Sequence, residues 1–330
     1  MSGERVDIYG AGPAGLVAAI ELIANGFDVH IYDRYGVGGN RAWHPSIQTV
    51  AFHPSRTWDY IGIDLSPCFH KVEAITFHRY GRKKVFSLEN MHVCERGPRA
   101  GSLDRYLLDK AMSMGAVVTD GIGFSANQPD SAGHTIVATG LDTAVYEELG
   151  IPHTPIYGYR GVADTQIEPT LITYMAQCTN YDFAYLAADQ GTLFALLFSR
   201  KQLATDSLNE FQQLLRQTEG IEIDRWTCST GSVPTQAQLF HKGQILAGTL
   251  SGMIDPFLLS GISGALISGK IAAQAVIDPE SANSEFRWFT RNFSLKQHLK
   301  ALSTRIPFKQ LSIPLMMLVD SRIRGVGFIA

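Results

Sequence analysis

Cysteine is scarce in this chain and never closely paired. The four residues, Cys68, Cys94, Cys178 and Cys228, lie far apart among 330 positions and form no CxxC pair. Neither a zinc site nor a disulfide framework is indicated, and a reducing, cytoplasmic setting is the expectation. An excess of charge is missing too. The formal net charge of -3 gives no overall field that would attract nucleic acid, leaving only a local basic strip from Arg79 to Lys84. The opening Met1 to Gly10 lacks the apolar core and cleavage site of a signal peptide and runs directly into a strand, so no export is expected. Long apolar runs are also absent: 257–267 and 306–319 fall short of a bilayer span and contain Gly, Ser, Pro or Lys. The second run sets Leu315, Met316, Met317 and Leu318 between basic residues, so it could touch a membrane surface or pack onto the body of the protein. Packing is the expectation, because terminal helices ordinarily bury such faces.

What is present is the composition of an ordinary globular protein, 45% hydrophobic and 18% charged. The length accommodates two domains. Arg5 to Tyr9 reads as a strand, Pro13 to Ala24 as a helix of good formers and Asp28 to Tyr32 as a second strand, which makes a βαβ opening. Between Gly36 and Pro98 the pattern is irregular, rich in Gly, Pro, His and aromatics, and reads as a loop plus a hairpin at Val72 to His78 and Lys83 to Leu88. Leu103 to Met114 returns to helical spacing, and Ala116 to Thr119 and His134 to Ala138 read as buried strands. Ile156 to Val162, Leu171 to Ala176, Phe183 to Ala188 and Thr192 to Ser199 then suggest an antiparallel sheet, backed by a helix from Ser207 to Gln217. Gln244 to Gly248 is a short strand and Phe257 to Val276 a long apolar helix with small residues. From Pro279 onward the chain reads as helices, with a proline-containing break at Ile306 to Pro314.

The segment Gly10-Ala11-Gly12-Pro13-Ala14-Gly15 matches GxGxxG between a strand and a helix. In that setting Gly10 serves the tight turn, Gly12 the approach of backbone to a pyrophosphate, and Gly15 the close seat of helix on strand. The helix N-terminus offers free N–H groups and a positive dipole end. Asp33, eighteen residues past Gly15, stands where a ribose would be bonded, and its charge disfavours a 2′-phosphate even though Arg34 follows. The fingerprint therefore points to a dinucleotide, FAD or NAD rather than NADP.

Three further segments separate these two. Arg99 to Ala116, RAGSLDRYLLDKAMSMGA, resembles the Arg, Leu-Asp, Leu, Ala, Gly-Ala helix of the flavoprotein superfamily that includes p-hydroxybenzoate hydroxylase and geranylgeranyl reductase. Thr135 to Gly140, TIVATG, is similar to the strand that ends the nucleotide domain there. Gly248 to Ala273 resembles the distal flavin motif, with a DP followed by G-I opening a helix. The resemblance implies an α/β fold: a Rossmann-like FAD-binding domain from 1–67, 94–150 and 241–280, an antiparallel β-sheet substrate domain from 68–93 and 151–240, and a helical segment at 281–330. It implies FAD contacts at Ala14, Asp33, Gly39, Asn40 and Arg41, at Arg99 for the pyrophosphate, at Ile122 for the adenine, and at Thr249, Gly261 and Ile262 toward the ribityl chain and ring. Gly261 and Ile262 would turn N–H groups to the pyrimidine edge, where negative charge gathers on reduction.

Departures from the pattern leave the subfamily open. Thr249 replaces the acid expected on the ribityl hydroxyls, although threonine can still hydrogen-bond there. In the hydroxylases an Asp-Gly element with a later arginine follows the strand; here Thr139 to Tyr146 lacks both, which argues against reduction by NAD(P)H in the hydroxylase manner. The halogenase WxWxIP signature is absent, as is the cysteine-bearing loop of geranylgeranyl reductases, where this chain has Gly38 to His44. The leading expectation is an FAD-dependent reductase or dehydrogenase for an apolar or aromatic small molecule, a lipid or prenyl chain included. Electrons would come from NAD(P)H or a redox partner protein. A monooxygenase and a protein with structural or redox-neutral flavin are the alternatives. Tyr157, Tyr159, Phe183, Tyr185 and Phe194 are candidates for the substrate face, with Trp43 and His44 facing the flavin ring from the first domain. His44 is the candidate acid or base.

Overall fold

A computed structural model describes residues 3–37, 44–87, 89–126, 133–306 and 308–329. Gly39, Asn40, Arg41 and Trp43 lie outside the described residues.

The strand Arg5–Tyr9 is buried from Val6 onward, as a central parallel strand must be when helices cover a sheet. It pairs in parallel with Asp28–Asp33 on one side and His134–Val137 on the other. Val117–Asp120 and Gln244–Leu246 extend the sheet, also in parallel, and Phe240–His241 closes the edge antiparallel, making six strands. The helix Pro13–Ala24 packs on this sheet beside Leu103–Ser113 and the long helix Ile262–Ile277. Their apolar faces share one core with Val6, Ile8, Val29 and Ile31.

The second sheet has seven strands in the order Trp226–Pro234, His153–Asp164, Thr192–Ser199, Ala184–Asp189, Thr170–Met175, Ala74–Arg79 and Arg82–Ser87. Every pairing is antiparallel except Thr170–Met175 with Ala74–Arg79. The helix Ser207–Glu219 covers one face, where Tyr174, Phe211 and Leu215 are buried together. On another cluster of this sheet, Tyr185 and Phe194 pack against Ile47, Val72 and Val93. Those three come from the loop-and-hairpin region of the sequence, which proves more ordered than its composition suggests. Ser46–Ala51, Met91–Arg96 and His70–Lys71 form a three-stranded antiparallel sheet, and Pro54–Ile61 is a helix. Glycine, proline and histidine around these short strands obscured their alternation.

Other differences are local. Phe257 to Gly261 is a turn, and the helix begins at Ile262. The Asp255 carboxylate accepts from the N–H groups of Phe257 and Leu258 at 2.9 and 3.0 Å, and such a side-chain turn competes with helix whatever the apolar period. Trp226–Pro234 escaped notice because WTCSTGSVP, an edge strand, has little apolar alternation. Thr143–Leu149 is a helix, capped by Asp142 accepting from Ala144 N–H at 3.2 Å. Toward the end of the chain lie Pro279–Thr290, Phe293–Arg305 and Lys309–Asp320, and Pro314 is inside the last helix, not at a break. Proline has no N–H for the carbonyl four residues back; that carbonyl, of Gln310, accepts instead from Arg79 Nη2 at 2.7 Å. Leu311, Leu315 and Leu318 on this helix are exposed, against the expectation of a packed terminal face. Among the described residues no helix is long and apolar enough to cross a membrane.

Candidate functional site

A cavity of about 740 Å³ runs between the two large sheets. At one end it is lined by Gly10, Gly12, Ala14, Asp33, Arg34 and Ile122, and at the other by Thr249, Gly261 and Ile262. The two glycine turns, some 250 residues apart in sequence, thus open on one space. Gly15 does not line it.

The first turn has the geometry its glycines require. Gly10 adopts a φ of +110°, and a Cβ there would sit 2.4 Å from the Ala138 carbonyl oxygen. A Cβ on Gly15 would lie 2.0 Å from the oxygen of Gly10. Gly12 differs: a Cβ there would meet nothing closer than the Arg96 guanidinium at 3.8 Å, so the backbone lies open to the cavity. Gly12 caps the helix Pro13–Ala24 without any side-chain acceptor, and Gly261 caps Ile262–Ile277 in the same way. Each helix therefore presents unclaimed N–H groups and a positive dipole end.

Asp33 ends its strand at the cavity wall. Its Oδ2 accepts from Ala11 N–H and its Oδ1 from Tyr35 N–H, both at 2.8 Å. Burial raises the carboxyl above its ordinary value against the pull of those two donors. Arg34 pairs with Asp142 at 2.9 Å, also on the cavity wall. Ile122 donates its N–H to the Asp33 carbonyl at 3.2 Å.

Arg99 is not among the lining residues. Its guanidinium bonds Glu95 and the Gln190 carbonyl, away from the glycine turn. The arginine beside Gly12 is Arg96, delivered by the end of the strand Met91–Arg96. Arg96 forks onto the fully buried Asp104 at 2.6 and 2.7 Å. Asp104 also accepts from Gly97 N–H at 2.9 Å. Burial would raise that carboxyl, but Arg96 outweighs it and holds Asp104 below the ordinary carboxylate range. The sequence carried the signal in the Leu-Asp of the helix Leu103–Ser113; what it did not reveal is which of two arginines three residues apart faces inward.

His44 lines the cavity next to Ser46, whose Oγ stands 3.4 Å from Nδ1. Burial, then the nearby positive charge of Arg96, pull its imidazole down to about 4, so it is neutral near pH 7. Of the five sheet aromatics expected at the substrate face, Phe183, Tyr185 and Phe194 line the cavity and Tyr157 and Tyr159 do not; Leu196 and Phe198 join them. Gln48, Thr139 and Thr230 are further polar groups on the wall, not foreseen from the sequence. Thr139 Oγ1 is buried without a hydrogen-bond partner among the described residues, a position a bound polar ligand would satisfy.

The distal turn is held from behind by charge. Lys296, buried, bridges Asp255 at 2.8 Å and Asp320 at 2.9 Å. Arg200 pairs with Asp182 and donates to the Pro256 and Phe257 carbonyls at 2.6 and 3.2 Å. Lys300 joins Asp182 at 2.7 Å. The backbone of 255–261 is thereby tied to the second sheet and to the C-terminal helices, which fixes where the N-terminus of Ile262–Ile277 points.

No family model matches the chain. Over 33 residues it is 64% identical to the glutamate synthase [NADPH] small chain of Azospirillum brasilense, a match covering 10% of this chain and 7% of that protein. The fold is shared far more widely. A geranylgeranyl bacteriochlorophyll reductase-like protein from Thermoplasma acidophilum superposes with a TM-score of 0.74 at 15% identity, covering 100% of this chain and 94% of that one. CtdE, solved in complex with FAD and a substrate, superposes with a TM-score of 0.65 at 13% identity, covering 91% and 88%. With its largely parallel first sheet, its facing mixed sheet and one cavity between two glycine turns, the chain shares the α/β fold of these two structures.

Proposed function

We propose that the cavity binds FAD and that the protein is an FAD-dependent oxidoreductase for an apolar or aromatic small molecule. The observation that carries the reading is the convergence of the Gly10–Gly15 turn and the Gly261–Ile262 turn on one cavity, each with an uncapped helix N-terminus. The residues fit the group. Asp33 has acceptor capacity left for ribose hydroxyls beyond its two backbone bonds. Arg96 and the N–H groups after Gly12 supply the positive charge two phosphates require, and Arg96 takes the place the sequence assigned to Arg99. Thr249 suits the ribityl chain, and Ile262 and its neighbours the ring edge.

When bound, the flavin ring supplies the redox chemistry, and the protein supplies position, electrostatics and exclusion of water. The positive end of Ile262–Ile277 favours negative charge at the ring edge beside it. Phe183, Phe194, Leu196 and Phe198 make a water-poor wall suited to an apolar or aromatic substrate. Gln48, Thr230 and neutral His44 are the polar groups that would orient it, and His44 can accept a hydrogen bond or a proton. In keeping with these roles, we place the FAD-binding part at 1–67, 94–150 and 241–280 and the substrate part at 68–93 and 151–240.

The test is the absorption spectrum of the purified protein, with identification of any released flavin, followed by anaerobic titration with NADH, NADPH and dithionite. A flavin spectrum bleached by an electron donor is the expected result. A colourless protein that takes up no added FAD defeats the proposal. Oxygen consumption coupled to NAD(P)H would redirect it to a monooxygenase, and a spectrum unchanged during turnover to a redox-neutral flavin.

A further inference from the structure

The helix Lys309–Asp320 buries Ile313 and Asp320 on one side and leaves an apolar stripe on the other. Phe308, just before the helix, is 78% exposed, Leu311 68%, Leu315 55% and Leu318 57%. Their spacing of three and four residues puts them on one face. A soluble helix ordinarily turns polar residues outward, and one that is apolar on both faces needs a second apolar surround.

The basic strip lies beside this stripe. Arg79 donates to the carbonyl of Gln310, freed by Pro314, so the hairpin of Ala74–Arg79 and Arg82–Ser87 is tied to the helix. All six residues of Arg82–Ser87 are exposed, which presents Arg82, Lys83 and Lys84 together with the apolar Val85 and Phe86. Arg305, at the end of the preceding helix, is exposed as well. Neither the hairpin strands nor the helix exposes an acid: Asp320, the sole acid among them, is buried on Lys296. A chain with a net charge of -3 thus gathers cations around its most exposed apolar stripe.

We infer that this face, the outer side of Lys309–Asp320 with the adjoining basic hairpin, docks on the surface of an anionic lipid bilayer. Leucine and phenylalanine would enter the boundary between headgroups and acyl chains while arginine and lysine meet lipid phosphates. At 12 residues the helix is too short to span a bilayer and suits lying in its plane. A second copy of this chain fits less well, because a two-fold contact through this patch would set the basic hairpins against each other. The inference concerns a surface outside the FAD cavity, so its outcome and that of the flavin reading are independent.

The experiment is flotation of the purified full chain with vesicles of phosphatidylcholine alone and of equal parts phosphatidylcholine and phosphatidylglycerol. Binding is expected to the anionic vesicles, weakening as salt is raised. The exposed-site variants Lys83→Ser with Lys84→Ser should weaken it roughly fivefold per cation removed, and Leu311→Ser with Leu315→Ser about tenfold or more in total. Far-UV circular dichroism and thermal unfolding should match wild type, since none of the four side chains is buried. The inference is overturned if wild type does not float with anionic vesicles, or if the folded variants bind as wild type does. It is also overturned if the chain dimerises in solution, Leu311→Ser with Leu315→Ser makes it monomeric, and no vesicle binding is seen.

Discussion

Gly269, in the middle of the helix Ile262–Ile277, rests against the carbonyl oxygen of Ala14 in the first turn of Pro13–Ala24, so closely that a Cβ on it would lie 2.5 Å from that oxygen. This contact crosses the two helices near the first glycine turn, and Gly248, from the adjoining turn, lies against the Ala14 side chain, where a Cβ would sit 3.2 Å from Ala14 Cβ.

Replacing Gly269 by valine should therefore drive the helices apart. A side chain there meets Ala14 oxygen and, at 2.8 Å, Val17 Cβ, and overpacking of this kind costs about 1–3 kcal/mol. The expected result is a lower urea midpoint together with weaker FAD uptake, followed by flavin fluorescence. A variant as stable as wild type, with unchanged uptake, would show that the helices need not lie so close.

Arg96→Met should be more damaging than Arg99→Met. The first removes a mostly buried cation from the buried Asp104, a loss of about 3–5 kcal/mol; the second removes a half-exposed cation from Glu95, which is also buried but keeps the Thr192 hydroxyl as a donor at 3.1 Å. The pH dependence follows from the depressed carboxyl of Asp104. Its contribution is complete above the unfolded value near 3.8 and is lost as pH falls through the lower folded value. From this group alone, wild type should lose no stability in urea unfolding until pH falls below about 3.8, whereas the destabilisation of Arg96→Met should shrink in mild acid as its unpaired, buried carboxyl takes up a proton. Equal stability and equal FAD affinity in the two variants would contradict the proposal that Arg96 serves the pyrophosphate.

His44 should show a different pH signature. Its imidazole titrates at about 4 in the folded protein against 6.5 when unfolded, so the unfolded chain takes up the proton first as pH falls. Stability should decline between about 6.5 and 4 by roughly 3 kcal/mol from this group and then level off. His44→Gln should remove that part of the slope. Proton NMR of the His44 ring is the direct check, and a midpoint near 6.5 would mean that the site is wetter and less positive than its geometry indicates.

Much of this molecule can be read from its residues in order. Periodicity places Arg5–Tyr9, Pro13–Ala24 and Thr192–Ser199 at their observed bounds, because each is governed by contacts its own pattern encodes: a buried parallel strand, a glycine-led helix, a strand packed on both sides. The glycines of the first turn are equally legible, since φ and close backbone approach are local demands. Between Gly36 and Pro98 the hairpin of Ala74–Arg79 and Arg82–Ser87 was legible too, but Ser46–Ala51, His70–Lys71 and Met91–Arg96 were not, since each is stabilised by partners tens of residues away and by burial that a six-residue window does not record.

What the sequence by itself determined is the pair of glycine turns and the acid at position 33. Tertiary structure alone decided that Arg96 rather than Arg99 turns toward Gly12, that Phe183, Tyr185 and Phe194 rather than Tyr157 and Tyr159 line the cavity, and that the last helix keeps its leucines in solvent. The physical reason is the same in each case. Neighbouring residues of one type carry the same chemistry along the chain, and only the packing of distant elements settles which of them loses its water and which faces the site.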